Sequence, residues 1–236
     1  MVNVLPQVVK LKRMALDFLF PQWCIGCGKE GSFLCRSCRD TLSYIVPPLC
    51  PKCGKPQPSS TLCPGCIDWQ AEIDGIRSPF RFDGVIRQAI HQLKYKNLRA
   101  LAMPLATLLN DYLVANPMPG EFLVPVPLHR KRLRERGYNQ SSLLVKELGK
   151  LIKLPVIDDY LIRKQYALPQ TKTTTVDERR NNVVNAFTCH DHRLKDKQVL
   201  VIDDVSTSGT TLDACAAALK AAGATSVWGL ALAREI

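Results

Sequence analysis

The 236-residue sequence contains no uninterrupted apolar stretch near the ~20 residues that cross a bilayer. Its fairly apolar start, Met1 to Phe20, is broken by Pro6, Lys10, Lys12, Arg13 and Asp17. No small-residue cleavage site follows, so no secretory leader is expected, and the chain reads as cytoplasmic without membrane insertion. Val4, Val8, Leu11, Ala15 and Leu19 fall near helical spacing, which predicts an amphipathic arm over 1–22. Acidic side chains are scarce, 21 against 32 basic ones, for a net charge of +11. An excess of that sign attracts phosphate-rich partners, nucleotides or nucleic acid, and is equally met by a solvated basic face. Beyond Cys66 cysteine is nearly absent. Cys189 and Cys215 are isolated and read as small core residues.

The other eight of ten cysteines crowd into four Cys-x-x-Cys pairs: Cys24/Cys27, Cys35/Cys38, Cys50/Cys53 and Cys63/Cys66. Two-residue spacing lets both sulfurs of a knuckle reach one ion, and two knuckles complete a tetrahedral Cys₄ site for Zn²⁺. Disulfides are disfavoured without an export signal, and four even knuckles fit an iron–sulfur cluster poorly. A segment this short cannot bury enough core to fold without metal. The spacing therefore predicts two structural zinc ions in a module over 23–70, with sequential pairing expected and interleaved pairing open. Saturated Cys₄ sites leave no position for substrate, so the module reads as a platform. Trp23, Arg36, Arg39, Lys52, Lys55 and Trp69 offer it cations and rings for single-stranded nucleic acid, or the tryptophans simply pack it.

From about residue 71 to 236 the pattern changes to alternating strands and helices. Strands are expected over Gly75–Phe82, Phe122–Val126, Val199–Ile202 and Ser226–Ala233. Helices are expected over Gly84–Tyr95, Leu98–Val114, Gln140–Ile152 and Thr211–Ala222. Such alternation predicts an α/β fold, a parallel sheet flanked by helices on both faces. Cys189-His190-Asp191-His192 has metal-ligand residue types but reads as the turn before the Val199 strand.

The decisive run is Val199-Leu200-Val201-Ile202-Asp203-Asp204-Val205-Ser206-Thr207-Ser208-Gly209-Thr210-Thr211. Two carboxylates emerge at the C-terminal end of a buried strand, where open α/β sheets bind ligands. A hydroxyl-rich loop then enters a helix, and its N–H groups make a cradle for a phosphate dianion. Carboxylates accept hydrogen bonds from vicinal ribose hydroxyls while such a loop holds a 5′-phosphate. The run resembles the phosphoribosyl diphosphate (PRPP) signature of type I phosphoribosyltransferases, nearly position by position. On that resemblance Asp203 and Asp204 hold the ribose hydroxyls. Ser206, Thr207, Ser208, Gly209, Thr210 and Thr211 hold the 5′-phosphate.

Three more segments narrow the family: His91-Gln92-Leu93-Lys94-Tyr95; Val124-Pro125-Val126-Pro127-Leu128 with Arg136-Gly137-Tyr138-Asn139-Gln140; and Gln170, Arg179, Asn182, Ala186 and Phe187 along a polar stretch. With the four knuckles these resemble the ComF family over essentially the whole chain. That family joins a small Cys-rich zinc-ribbon module to a type I phosphoribosyltransferase-like domain, and is associated with competence for natural transformation. The resemblance implies that Val126, Pro127 and Leu128 grip the pyrophosphate of PRPP, carried with Mg²⁺, and that Arg163 to Val184 is a hood over the site. Arg130, Arg132, Arg134 and Arg136 suit diphosphate and nucleic-acid phosphate equally well. Tyr138 adds a ring for base stacking.

Two functions follow. One is a competence protein that binds PRPP and single-stranded DNA, alongside other proteins of that pathway. The other is an active transferase that moves 5-phosphoribose from PRPP to an unidentified nitrogenous acceptor with release of pyrophosphate. Position 207 is Thr, so the loop offers no general base.

Overall fold

A computed structural model of the chain describes residues 21–164 and 186–236. The expected arm, over 1–20, and the 165–184 part of the expected hood lie outside them. The first described segment is a duplicated unit. In each copy a Cys-x-x-Cys knuckle closes on a glycine, Gly28 N–H donating to Cys24 O at 2.8 Å and Gly54 N–H to Cys50 O at 2.9 Å. Both glycines sit at positive φ, 71° and 74°. The second cysteine pair of each copy opens a short helix, α1 (Arg36–Asp40) after Cys35 and α2 (Pro64–Ile67) after Cys63. Backbone N–H groups at those helix starts reach back to the first knuckle, Cys35 N to Cys24 Sγ at 3.4 Å and Cys63 N to Cys50 Sγ at 3.5 Å.

The rest is the expected α/β fold. A parallel sheet has the order β1 (Gly75–Arg77), β7 (Ser226–Arg234), β6 (Gln198–Ser206), β3 (Phe122–Pro125), and β2 (Phe80–Arg81) also pairs with β7. Around it lie α3 (Gly84–Tyr95), α4 (Ala102–Ala115), α5 (Arg130–Arg136), α6 (Gln140–Ile152) and α7 (Thr210–Ala221). A separate antiparallel pair joins β4 (Leu161–Arg163) to β5 (Phe187–Cys189). The expected strand over Gly75–Phe82 is split at Ser78–Pro79, where proline has no N–H for the ladder. The helix expected from Leu98 begins as a 3₁₀ turn, Arg99–Leu101. Strand β6 runs four residues past the expected Ile202, because β7 continues beside it and pairs Asp203 with Ala231 and Ser206 with Arg234.

Alternation along β6 feeds two cores. Leu200 and Ile202 face α3 and α4, and Val199 and Val201 face α7. The two zinc units are divided between them. Cys24, Leu34, Cys38 and Leu42 join the α3/α4 core, whereas Cys50, Cys53, Cys63, Cys66 and Trp69 join the α7 core. Polar contacts follow the same division. Arg39 pairs with Asp111 of α4 at 2.8 Å. On the other side Ile76 N–H donates to Lys52 O at 2.8 Å, and Arg234 Nη1 donates to Cys53 O at 2.6 Å. A Cβ on Gly54 would stand 2.4 Å from Ile76 O, so only glycine lets this knuckle lie against β1.

The sulfurs of each unit gather sequentially, Cys24, Cys27, Cys35 and Cys38 in one group and Cys50, Cys53, Cys63 and Cys66 in the other, all within 4.8 Å of one another. The Cys27–Cys35 and Cys53–Cys63 separations are 3.6 and 3.7 Å. A tetrahedron of Zn–S bonds has edges of about 3.8 Å, so both groups fit the ion. Burial pushes the Cys24 and Cys50 thiols up, but backbone N–H groups outweigh it and bring both down to about 6. Burial and the neighbouring sulfurs push the Cys38 thiol up to about 12 and raise the Cys66 thiol as well. Because the second group is part of the α7 core, its loss is expected to reach beyond the ribbon. Cys50→Ser with Cys53→Ser should lower bound zinc from about two ions per chain to about one, and should lower the melting temperature of the whole chain. Metal analysis and calorimetry check this; an unchanged melting transition would show that the unit is a detached appendage.

Candidate functional site

The site is built at the C-terminal end of β6. Asp203 and Asp204 are both buried there, against the loop 207–209 and the start of α7. The Asp203 carboxylate accepts from Ser141 Oγ at 3.0 Å and from the Asp204 N–H at 2.9 Å. Asp204 Oδ1 meets the Lys94 ammonium at 2.9 Å. Its Oδ2, on a residue only 2% exposed, has no hydrogen-bond partner among the described residues. That orphaned acceptor suits a sugar hydroxyl or a Mg²⁺-bound water.

Burial, then the adjacent Asp204 charge, pushes the Asp203 carboxyl up to about 7, although Lys94, the Asp204 N–H and Ser141 pull the other way. Burial alone would lower the Lys94 ammonium, but the Asp204 carboxylate outweighs it and the group ends raised. Arg163, on β4, and Cys215, on α7, also face Asp203 electrostatically.

The loop turns through Gly209 at φ 83°, and α7 starts at Thr210. Ser208 Oγ and Thr210 Oγ1 lie 2.7 Å apart, so the two hydroxyls are already gathered. A Cβ on Gly209 would stand 2.6 Å from Ile76 Cδ1 and 3.3 Å from the Trp69 ring, so β1 and the second ribbon clamp the loop from behind. Ser206 Oγ is buried without a partner among the described residues. Thr207 is exposed, Ser208 and Thr211 are half-buried, and Thr210 is buried.

Each residue of Arg136-Gly137-Tyr138-Asn139-Gln140 has an assigned contact. Gly137 ends α5 in the left-handed region at φ 79°. Asn139 caps α6 by accepting from Ser141 N–H at 3.1 Å, and its Nδ2 donates to Val126 O at 2.9 Å. It thereby holds Val126, Pro127 and Leu128, which leave β3 beside Asp203. Arg136 Nη1 donates to Gln140 Oε1. Tyr138 is 7% exposed and its hydroxyl donates to Leu93 O, with the Arg99 guanidinium 4.5 Å over its ring. It is an internal strut, and its ring is not open for stacking as the sequence suggested.

The ring that is open here is Tyr95, 64% exposed, with His91 at 4.9 Å and the Arg136 guanidinium at 5.4 Å. Lys94, Tyr95, Arg132, Glu135, Arg136 and Tyr138 line a cavity of about 620 Å³, which Lys94 connects to Asp204. Arg130 and Arg134 point away on exposed positions of α5, a helix that sequence periodicity missed because it buries no residue. His129 caps it, accepting from Lys131 N–H at 3.2 Å. On the ribbon, Lys52 donates to Ala71 O and Ile73 O, and Trp69 is buried, while Trp23 stays exposed. Cys189 bonds to the Ala218 carbonyl of α7, and His192 to the carbonyl of Ala222, which caps that helix.

Comparison with known proteins accounts for both parts. Residues 15–67 match the double zinc ribbon domain, and residues 138–234 match the phosphoribosyl transferase domain. Competence protein ComFC of Bacillus subtilis is 26% identical over 88% of this chain and 86% of its own length. Competence protein F of Haemophilus influenzae is 29% identical over 85% and 90%. DNA utilization protein YhgH of Salmonella typhi is 29% identical over 86% and 91%. With both domains present in one order and these relatives aligned along most of their length, the chain belongs to the ComF family.

Proposed function

We propose that the chain binds PRPP, with Mg²⁺ on its diphosphate, and single-stranded DNA, in the service of DNA uptake. The observation that carries the reading is the buried Asp203–Asp204 pair set beside a hydroxyl loop that opens a helix. The carboxylates would accept the ribose hydroxyls, and the loop's N–H and hydroxyl groups would hold the 5′-phosphate. Lys94, Arg132 and Arg136 line the adjoining cavity and would take the diphosphate. Lys94 and Asp204 pair with each other at 2.9 Å, and a ligand that brings hydroxyls to Asp204 and phosphate to Lys94 would replace each partner in kind.

The names of the relatives, competence and DNA utilization, support a role with incoming DNA. Exposed Arg130 and Arg134, half-buried Arg132 and Arg136, and the Tyr95 ring supply cations and a stacking face for a single strand. A second reading is transfer of the 5-phosphoribosyl group to a nitrogenous acceptor with release of pyrophosphate. One observation favours it: a cavity of about 530 Å³ adjoins Thr207 and Ser208 of the phosphate loop.

Asp203→Ala with Asp204→Ala removes the acceptors for both ribose hydroxyls. Hydrogen bonds to a charged group contribute about 1.5–3 kcal/mol each, so PRPP affinity should fall at least tenfold. Calorimetric titration with Mg²⁺ reads this, and unchanged affinity in a folded double variant overturns the assignment.

The raised Asp203 carboxyl gives a pH signature. Folded Asp203 holds its proton more tightly than an unfolded chain does. This group's contribution to stability is therefore full below the ordinary carboxylate range and is lost as pH rises through about 7. Binding runs the opposite way, since an ionised carboxylate accepts a hydroxyl more strongly. PRPP affinity should climb between pH 6 and 8, and Asp203→Asn should flatten that climb beyond what phosphate ionisation alone leaves. Parallel profiles for parent and variant would exclude Asp203 as the titrating acceptor.

For DNA, each phosphate contact to a single strand adds about 0.7 to the log–log salt slope. Replacing Arg132, Arg134 and Arg136 by Ala should make the slope shallower by about 2, and Tyr95→Ala should weaken binding without changing it. Gel shifts over a salt series test this. A triple variant that retains the parental slope would remove α5 from the DNA track.

A further inference from the structure

The two zinc units are built alike and buried differently. In the second unit all four cysteines are between 0 and 5% exposed, within the α7 core. In the first, Cys24 and Cys38 are buried, Cys35 is half-buried and Cys27 is exposed. The difference follows from how each knuckle meets the α/β body. Gly26 lies so close to α3 that a Cβ there would stand 2.9 Å from Val85 Cγ2 and 2.7 Å from Cys38 Sγ. Cys24 and Cys38 thus join the α3/α4 core, and Cys27 lies on the solvent side. The second unit is held from more directions: Gly54 meets β1, Arg234 donates to Cys53 O, and Trp69 shares the core of the four cysteines.

An oxidant must touch a sulfur to react with it, and a zinc-held cysteine is already the reactive thiolate. Access therefore sets which sulfur reacts first. Cys27 Sγ also has a resolving sulfur at hand, Cys35 Sγ of the other knuckle at 3.6 Å. The corresponding pair of the second unit, Cys53 and Cys63, is as close at 3.7 Å but buried. Proximity is common to both units, and exposure belongs to one.

We infer that the first zinc unit is an oxidative modification site: a peroxide joins Cys27 to Cys35 and expels that ion, while the second unit keeps its own. The Cys27 sulfur attacks one peroxide oxygen, the O–O bond breaks, and the departing hydroxide takes up a proton to become water. The Cys35 thiolate then attacks the sulfenic sulfur, the S–O bond breaks, and a second hydroxide leaves and is protonated to water. The sulfurs together lose two electrons and the peroxide oxygens gain them. Zn²⁺ keeps its charge but loses half of its ligands. Without that crosslink, Leu34, Leu42 and the Arg39–Asp111 pair lose the element that seats them against α3 and α4. The loop 207–209 keeps its support, because Trp69 follows the second unit.

The test treats the full zinc-loaded chain with hydrogen peroxide beside a chromogenic zinc chelator. About one ion per chain should leave, at least about tenfold faster than the other, and a thiol reductant with added zinc should restore it. Peptide mass spectrometry after blocking of free thiols should find Cys27 linked to Cys35, with Cys50, Cys53, Cys63 and Cys66 still reduced. Cys27→His keeps a fourth zinc ligand but cannot form the disulfide. It should load both ions and release the first at least about tenfold more slowly than the parent does. If that variant does not load both ions, Cys50→Ser with Cys53→Ser, which keeps only the first site, gives the comparison: its ion should leave at the parental rate. Release of both ions at one rate, earlier oxidation of the second unit's cysteines, or loss of the first ion without a Cys27–Cys35 link overturns the assignment.

Discussion

Two adjacent carboxylates are buried at the end of the central strand, and much of the surrounding structure serves to make that tolerable. Like charges one residue apart in a dry setting repel, and each has lost most of its hydration. Lys94 answers Asp204 from the last turn of α3, and Ser141 answers Asp203 from the first turn of α6. Both helices are locked for the purpose: Tyr138 ties the end of α3 through Leu93 O, and Asn139 caps α6. A buried ion pair adds little to stability against an apolar pair of the same shape. These groups therefore make better sense as a site held charged and incompletely satisfied, with Asp204 Oδ2 still lacking a partner among the described residues.

The zinc units follow from the same economy of core. A segment of some fifty residues with few large apolar side chains cannot order itself by burial alone, so the metal sites supply the crosslinks. Each folded knuckle then offers its own buried surface to the sheet. Because the units divide between the two faces of the sheet, the module grips the α/β body from both sides. On the α7 side the grip reaches the loop 207–209 directly, through Trp69 and Ile76 against Gly209. The conformation of that loop thus depends on residues more than 130 positions earlier in the chain.

Legibility in the sequence tracked how local the cause was. Helix α3 over Gly84–Tyr95 and α6 over Gln140–Ile152 were readable to the residue, because each buries one periodic face and starts or ends on a clear signal. The knuckles were readable because spacing and residue type alone fix their chemistry. The strand-to-helix turn of the Asp203–Thr211 run was readable because its apolar strand and hydroxyl-rich helix start are local signals. Helix α5 was not, since seven mostly charged residues bury nothing and only the His129 and Gly137 caps mark it. Tyr138 and Tyr95 were indistinguishable as rings in a basic stretch. Which one points inward is decided by a single carbonyl, Leu93 O, contributed from another element. The part played by Arg234 was equally hidden, because its partners are the backbone of a cysteine knuckle 181 positions away and a cavity that no local pattern describes.

The distribution of charge around β6 finally separates two kinds of work. On the α3–α5 flank the cations are numerous, largely accessible, and joined by an exposed ring, which suits extended polyanions and exchange with solvent counterions. On the ribbon flank Arg234 is buried, anchored through one nitrogen and without a partner on Nε among the described residues, inside walls held by the cysteine knuckle and by strand pairing. Accessible cations attract broadly, whereas a buried donor with one open valence discriminates, because any ligand that fails to meet it leaves an unsatisfied group behind. The accessible cations and the buried donor thus lie on opposite sides of the same strand end. The carboxylate pair between them is the one feature that both sides share.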